Sequence, residues 1–183
     1  MEVAEAIKLR RTIHIFSKKR VPKEIIVRSV VAANQAPCHR RTFPWRFTSL
    51  GIKKRELLFK LQLSLKFGDK QIDEFNYKKI KDKVLNPSHL LVATQVNTDD
   101  KVNKLEDYAA CACAIQNLSL SLVADGVGSK WSTGKITKDP NTYQIAEIDP
   151  SKEDIIGFIS IGYGAEPPLI TRPLLDTIYR EKN

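Results

Sequence analysis

The sequence predicts one domain of mixed class, α/β or α+β, in which helices cover a sheet. Segments with the helical spacing of apolar residues alternate along the chain with short segments typical of strands. One such strand, 89–96, is almost continuously apolar, as expected when both of its faces are covered. The 183 residues contain no repeat and no linker rich in Gly, Ser or Pro, so we expect a single domain over 1–183.

The first half of the chain predicts mainly helices. Residues 4–11 have helical character, and Pro22 suits the first position of a second helix that runs to Ala36-Pro37. Residues 46–52 predict a strand. The next amphipathic helix is closed by Gly68, and the charged stretch 69–84 is also expected to be helical. The apolar positions of that amphipathic helix are Leu57, Leu58, Leu61 and Leu65.

The second half predicts strands around one long helix. The strand at 89–96 is followed by a helix over 105–124 whose apolar and small residues encircle it. Such a helix must be buried, either in the core or between subunits. Residues 127–131 and 155–163 predict two further strands, and the tail from residue 165 is expected to be loop-like. The prolines of that tail are Pro167, Pro168 and Pro173.

Composition indicates an intracellular protein without metal. The chain has no run of about 18 apolar residues and no signal peptide at its start, so we expect neither a membrane span nor secretion. An odd number of cysteines disfavours a disulfide framework and indicates a reducing compartment, the cytoplasm. Cys111 and Cys113 should point to nearly opposite faces of one helix, so no shared metal site is expected.

Positive charge is concentrated near the start of the chain. Residues 1–60 hold 15 basic and 4 acidic side chains, whereas the remainder holds 15 and 17, within a net charge of +9. This asymmetry indicates an anionic partner: a phosphorylated cofactor, a nucleic acid or a membrane surface. Aromatic residues do not alternate with the basic ones as they do in surfaces that stack bases, which disfavours nucleic acid.

Three segments carry the residue types of a ligand site. In 10–16 (RRTIHIF), arginine forks suit phosphate, although cations at a helix C-terminus also offset its dipole. In 36–47 (APCHRRTFPWRF), a helix breaks into a basic loop where His39 could donate to a ligand or fix the turn, while Trp45 is expected in the core. In 126–134 (GVGSKWSTG), glycines allow either close approach of a flat ligand or a plain turn.

The order and spacing of these segments resemble the nitroreductase family. The resemblance extends to the long helix ending in DGVGSKW and to the strand IIGFISIGYG, followed by Arg172-Pro173-Leu174. It is closest to short bacterial members in which the second segment is A-P-x-H. It implies a nitroreductase-like three-layer α+β fold, with a central, mostly antiparallel sheet flanked by helices. It also implies a homodimer with two FMN sites at the interface, where the long helices pack together.

The resemblance assigns roles to particular residues. The FMN phosphate or ribityl chain would meet Arg10, Arg11, Thr12 and Arg172. The flavin bound mainly by the other subunit would contact Gln35 and His39. The isoalloxazine would be lined by Trp131, Ser132, Thr133 and Gly134, with a backbone N–H near N5. Three positions depart from the family pattern: His14 replaces an arginine, Phe43 a common glutamine, and Cys38 a serine or aspartate.

The implied activity is a ping-pong transfer of hydride from NADH or NADPH, through FMN, to a nitroaromatic, quinone or similar electron-poor acceptor. The flavin would carry the chemistry, so no side chain is expected to be an obligatory acid, base or nucleophile. Relatives also dehalogenate aromatics, reduce enones or fragment flavin, with specificity set by a lid, expected here at 67–84. An FMN-binding module without turnover and a basic nucleic-acid binder are the alternatives from other classes.

Overall fold

The computed structural model describes residues 1–164 and 169–182, so Pro167 and Pro168 of the expected tail lie outside the described residues. Helices and strands alternate along most of the chain. In chain order they are α1 (Val3–Leu9), α2 (Lys23–Ala33), β1 (Trp45–Ser49), α3 (Ile52–Phe67), α4 (Glu74–Leu85), β2 (His89–Val96), α5 (Lys101–Ala124), β3 (Gly128–Ser132), a 3₁₀ turn (Lys135–Lys138), α6 (Pro140–Ala146), β4 (Glu153–Gly162) and α7 (Leu175–Ile178).

The strands form one antiparallel sheet in the order β1-β2-β4-β3. Its register shifts between Ala93 and Thr94, opposite Gly157. Gly157 has φ +156°, and a Cβ built there would lie 2.2 Å from Nε1 of Trp131. The indole therefore lies across a position that only glycine can occupy. Because β3 is an edge strand, its outer side is open to pairing with another segment of the chain.

Helices cover both faces of the sheet, which makes three layers. On one face, α2 and α5 enclose a core that includes Leu91, Leu118 and Ile159. On the other face, α3, α4 and α6 enclose Leu58 and Phe158. The predicted α+β class with a mostly antiparallel sheet is confirmed.

Local signals explain most element boundaries. The structure confirms the predicted strand at 89–96 residue for residue. Helix α5 starts one turn before the predicted residue 105, because Asp100 accepts hydrogen bonds from Val102 N and Asn103 N at 2.8 Å. The predicted strand 46–52 was too long, since extended Gly51 begins α3 at Ile52. Helix α6 was not predicted, although the Asp139 N-cap and the proline after it mark its start.

The charged stretch 69–84, which was expected to be helical, forms α4 from Glu74 onward and packs tightly. Asp73 caps α4 by accepting from Asn76 N at 2.8 Å. Ile80 and Val84 are buried, and the guanidinium of buried Arg55 donates to the carbonyl oxygens of Val84 (2.9 Å) and Pro87 (2.7 Å). Burial, with a smaller effect of Arg20, lowers the pKa of Arg55 to about 10. The lid at 67–84 stays a prediction.

Among the helices of the described residues, none has the length and apolar character needed to cross a membrane.

Candidate functional site

Residues 10–16, which follow α1, run along the open edge of the sheet and are called the strap below. Thr12 forms a parallel bridge with Ser129 of β3, and Ile13 N donates to the Ser129 carbonyl oxygen at 3.1 Å. Further on, Phe16 bridges Gly164 beyond the end of β4. The strap therefore places the end of α1 beside the start of β3.

Two glycines make room for the strap. A Cβ at Gly128 would lie 2.4 Å from Cγ1 of the buried Ile13, and a Cβ at Gly164 would lie 2.3 Å from its Cγ2. Gly126, with φ +70°, turns the chain between α5 and β3. Close packing and the turn thus account for the first two glycines of the 126–134 segment, whereas open space adjoins Gly134.

Arg10, at the start of the strap, lies within the electrostatic influence of Arg11 and of Arg172 near the other end of the chain. The pKa of Arg10 is lowered first by burial and then by the nearby charges of Arg172 and Arg11. Arg11 donates to the carbonyl oxygens of Lys8 and Arg10, so it also caps the C-terminus of α1. None of the three takes part in an ion pair with any residue that the structure describes. Such a cluster favours an anionic ligand.

The predicted ring-lining residues follow at the far end of β3. The Trp131 indole packs against the sheet and donates to the Ile156 carbonyl oxygen at 3.2 Å. Ser132 and Thr133 line a cavity between the sheet and helices α3 and α4, and Gly134 lies beyond the strand with φ +139°. One edge of the sheet therefore connects the guanidinium cluster to this cavity.

The basic loop after α2 is tied to the first half of α5. Arg40 Nε contacts Glu106 Oε2 at 2.8 Å, and the Thr42 hydroxyl donates to Asp107 Oδ1 at 2.5 Å. Trp45 is buried and donates to Asn34 Oδ1 at 3.1 Å, which confirms its expected core position. Gln35 and His39 are exposed in this region.

The loop and the guanidinium cluster lie toward opposite ends of α5. Arg11 lines a groove with Val123 and Gly126 at the last turn of the helix, whereas the loop is tied to Glu106 and Asp107. The sixteen residue-to-residue steps from Asp107 to Val123 along this helix span about 24 Å. The structure thus brings Arg10, Arg11 and Thr12 to β3, with Arg172 close enough to lower the pKa of Arg10, whereas the loop that contains His39 is held at the other end of α5.

Sequence reasoning missed a second basic cluster, beside the cavity. Lys130 Nζ lies 3.1 Å from His14 Nδ1, and Lys83 lines the cavity. The pKa of Lys83 is lowered by burial, then by Lys130 and Lys66. The pKa of Lys130 is lowered by burial, then by Lys79. The available signal was strand alternation, which places Lys130 and Ser132 on one face of β3.

Two apolar surfaces are uncovered. Val102 and Leu105 of α5 are 60% and 71% exposed, and they belong to a stripe that includes Tyr108. All described residues of the C-terminal arm, 169–182, are exposed, including four large apolar side chains beyond Arg172. These are Leu174, Leu175, Ile178 and Tyr179.

The two cysteines of α5 have different surroundings. Cys111 is buried and Cys113 exposed, which confirms their opposite orientations. Within residues 1–164 and 169–182 no group of three His, Cys, Asp or Glu side chains could hold a metal ion.

Comparison with known proteins identifies relatives over most of the chain. The model of the nitroreductase family matches residues 7–163. YfhC of Bacillus subtilis, an NAD(P)H nitroreductase by provisional assignment, is 29% identical over 171 residues, covering 92% of this chain and 87% of its own. A Methanothermobacter thermautotrophicus protein, provisionally an NADH dehydrogenase/NAD(P)H nitroreductase, is 31% identical over 180 residues, covering 96% and 84%.

Solved structures have the same fold. A nitroreductase-like family protein from Bacillus cereus has a TM-score of 0.81 and 23% identity, covering 100% of this chain and 97% of its own. A nitroreductase-like protein from Desulfovibrio desulfuricans, solved in complex with FMN, has a TM-score of 0.78 and 20% identity, covering 100% and 98%.

Proposed function

The chain belongs to the nitroreductase family, and from this membership we propose that it is an FMN-dependent oxidoreductase. It takes hydride from NADH or NADPH and reduces nitroaromatic, quinone or similar electron-poor acceptors. The observation that carries this proposal is the guanidinium cluster of Arg10, Arg11 and Arg172 beside the edge of β3. The names of the Bacillus subtilis and Methanothermobacter relatives support the reductant.

The cluster fits the phosphate of FMN. Three guanidinium groups that pair with no carboxylate among the described residues suit a dianion, and the fork of arginine matches two phosphate oxygens at once. Thr12 lies on the strap directly after Arg11 and can add a hydroxyl donor. In this assignment Arg10 and Arg172 carry most of the phosphate binding, since Arg11 also caps α1.

The edge of β3 then holds the isoalloxazine. From Thr12 the ligand would follow the strand toward Ser132, Thr133 and Gly134, where the backbone of Gly134 is free to approach a flat ring. Trp131, fixed against the sheet, shapes this edge. When bound, FMN supplies hydride acceptance at N5 and its return to an acceptor.

The remaining site residues come from a second copy of the chain. His39 belongs to the loop that is tied to the first half of α5, too far along that helix to reach the ligand held by Arg10 of its own chain. Gln35, four residues earlier, is assigned to the same partner site. A homodimer that pairs the α5 stripes of two copies would bring the loop of one copy to the guanidinium cluster of the other. The exposed C-terminal arm is available to pack on the partner, which would bury its apolar residues.

The protein's own part in the chemistry is binding, orientation and electrostatics. No obligatory acid, base or nucleophile is assigned, because donors to the bound flavin and exclusion of water are sufficient. The reductant and the acceptor would occupy the same face in turn, which gives ping-pong kinetics.

Flavin content and anaerobic reduction test the proposal. We expect a yellow dimer with one FMN per chain, bleached by NADH or NADPH under argon and recoloured by a nitroaromatic or a quinone. Initial rates at several acceptor concentrations should give parallel double-reciprocal lines. A colourless protein that takes up no added FMN would contradict the cofactor, and intersecting lines would contradict the ping-pong order.

A further inference from the structure

Cys38 lies in the loop after α2, among several hydrogen-bonding groups. Its Sγ accepts a hydrogen bond from Phe43 N at 3.4 Å and lies 3.3 Å from the hydroxyl oxygen of Thr42. That hydroxyl donates its one proton to Asp107 Oδ1, so the thiol donates to Thr42 in turn. Burial alone would raise the pKa of Cys38, but hydrogen bonds from Thr42 and Phe43 outweigh it and lower the pKa. Because the thiolate is the reactive form of cysteine, these contacts favour oxidation of the sulfur.

A second cysteine is buried beside the same carboxylate. Cys111 follows Asp107 by about one turn of α5, so the two side chains lie on one face of the helix. Cys38 packs against the core cluster that contains Cys111. Burial, followed by the charges of Asp107 and Cys38, raises the pKa of Cys111 to about 12. The two thiols are therefore neighbours of unlike reactivity: Cys38 ionises first, and Cys111 stays protonated.

The conformation of the loop depends on the Cys38 sulfur. Arg41 and Phe43 have φ of +56° and +45°, values that residues other than glycine rarely adopt. The hydrogen bond from Phe43 N to the sulfur and the one from Arg41 N to the Cys38 carbonyl oxygen (3.2 Å) hold the backbone there. Backbone strain of this kind persists only while the surrounding contacts maintain it. Moving the sulfur would release the loop, and His39, the next residue, would move with it.

We propose that Cys38 is a peroxide-sensitive thiol that forms a disulfide with Cys111, and that this bond shifts the loop and withdraws His39 from the flavin held by the other subunit. Formation of the disulfide is independent of the proposed function, whereas its effect on flavin rests on that function. Reduction of the disulfide would return the loop to the conformation described above.

The oxidation balances with hydrogen peroxide as the two-electron oxidant. The Cys38 thiolate attacks one peroxide oxygen, the O–O bond breaks, and hydroxide leaves and takes up the proton that the thiol released. The Cys111 sulfur then attacks the sulfenic sulfur, the S–O bond breaks, and the departing hydroxide takes the Cys111 proton. One peroxide and two thiols thus give one disulfide and two water molecules. The second step is the slow one, because Cys111 is almost entirely protonated near neutral pH.

Peroxide treatment of the FMN-loaded protein tests the disulfide. After a few equivalents of hydrogen peroxide, the protein is denatured, its remaining thiols are alkylated with iodoacetamide, and its mass is measured. We expect only one of the three thiols to remain, and a non-reducing digest should yield a peptide that links Cys38 to Cys111. Flavin fluorescence should show FMN binding weakened about three- to tenfold, as for the loss of one neutral hydrogen bond. Dithiothreitol should restore both quantities.

Matched variants identify the sulfurs that take part. Cys113→Ser is the control, because Cys113 lies on the same helix but is exposed. This variant should form the same disulfide and lose FMN affinity as the parent does. Cys38→Ser should keep both remaining thiols and its FMN affinity under the same treatment. In Cys111→Ala the sulfenic acid has no thiol to react with, so dimedone should capture it on Cys38. Should Cys111→Ala fold poorly, the two serine variants still decide the matter.

Distinct outcomes overturn the inference. Three unchanged thiols in the treated parent, or an interchain disulfide through Cys113, would refute it. Oxidation of Cys38 that leaves the Cys111 thiol intact would refute the pairing. A Cys38–Cys111 disulfide with unchanged FMN affinity would refute the effect on the loop. A parent protein that forms this disulfide but binds no FMN would refute the proposed function and leave the disulfide standing.

Discussion

Replacing Arg10 by methionine should have opposite effects on cofactor binding and on the stability of the apoprotein. The guanidinium group lies among the like charges of Arg172 and Arg11, and burial and these charges lower its pKa. In the apoprotein the group is therefore electrostatically unfavourable. With FMN bound, the same group would contact a dianion. Methionine removes the charge and keeps an apolar stem of similar length.

The magnitudes follow from the hydrogen bonds that methionine cannot donate. One charge-assisted hydrogen bond contributes roughly 1.5–3 kcal/mol, so the dissociation constant of FMN should rise by about one to two decades. Relief of repulsion should stabilise the apoprotein by less than about 1 kcal/mol, because Arg10 is only partly buried and water screens it. Because Arg10 and Arg172 would bind one phosphate, their double variant should not lose the sum of the two single effects.

Riboflavin provides the decisive comparison, since it has the ring and ribityl chain of FMN without the phosphate. Titration by flavin fluorescence should show Arg10→Met weakening FMN while leaving riboflavin unchanged. Thermal unfolding of the apoprotein measures the stability change. Arg28→Met is the matched control, because Arg28 is exposed and pairs with Asp125 at 2.8 Å near the same end of α5. It should leave FMN binding unchanged.

Two results would refute the reasoning. If Arg10→Met weakened riboflavin as much as FMN, the guanidinium group would not act on the phosphate. If the Arg10→Met apoprotein were less stable than the parent, packing of the stem or a contact of the guanidinium would outweigh the repulsion from its neighbours.

Three further predictions concern the dimer, the sheet and the core. Leu105→Arg on the exposed stripe of α5 should give a monomer that releases FMN, whereas Leu57→Arg on α3 should stay dimeric, as light scattering would show. Gly157→Ala should lower the unfolding free energy by about 3 kcal/mol, because the methyl group meets the Trp131 indole at a strained φ. Gly68→Ala, whose methyl group enters open space, should lower it by about 1 kcal/mol. Equal urea midpoints for the two variants would contradict this. The pKa of Cys111 is raised to about 12 by burial. The unfolded thiol therefore ionises first as pH rises above about 9, so stability should fall by up to about 1.4 kcal/mol per pH unit toward pH 12, and Cys111→Ala should remove that slope.

Elements with strong local signals were the ones predictable from the sequence. The strand 89–96 is apolar on both faces because helices cover both sides of the sheet, and the long helix has an Asp100 cap and unbroken periodicity. The strap could not be predicted, because its bridges to Ser129 and Gly164 join distant segments. The buried position of Arg55 was equally invisible, since its partners are backbone carbonyl groups at the end of another helix.

The site shows the same division. The arginines at 10 and 11 were identifiable as phosphate ligands or as helix caps, and only the folded structure shows that Arg11 caps α1 while burial and the charge of Arg172 lower the pKa of Arg10. The charges of Lys83 and Lys130 are visible in the sequence, but their proximity depends on how α4 packs on the sheet. Residue types thus indicate the chemistry, and tertiary packing decides which charges act together.

The length of α5 has a consequence for assembly. About 24 Å of helix separate the groove that Arg11 lines from the residues that hold the loop of His39. If FMN binds as proposed, one chain does not surround its own ligand. Under the proposed homodimer, each flavin would bind to the folded pair and not to either chain alone. Cofactor binding and dimerisation would then be linked equilibria, in which flavin stabilises the pair by mass action and dissociation of the pair weakens flavin binding. On this view the apolar stripe of α5 is as much a part of cofactor binding as the arginines that contact the phosphate.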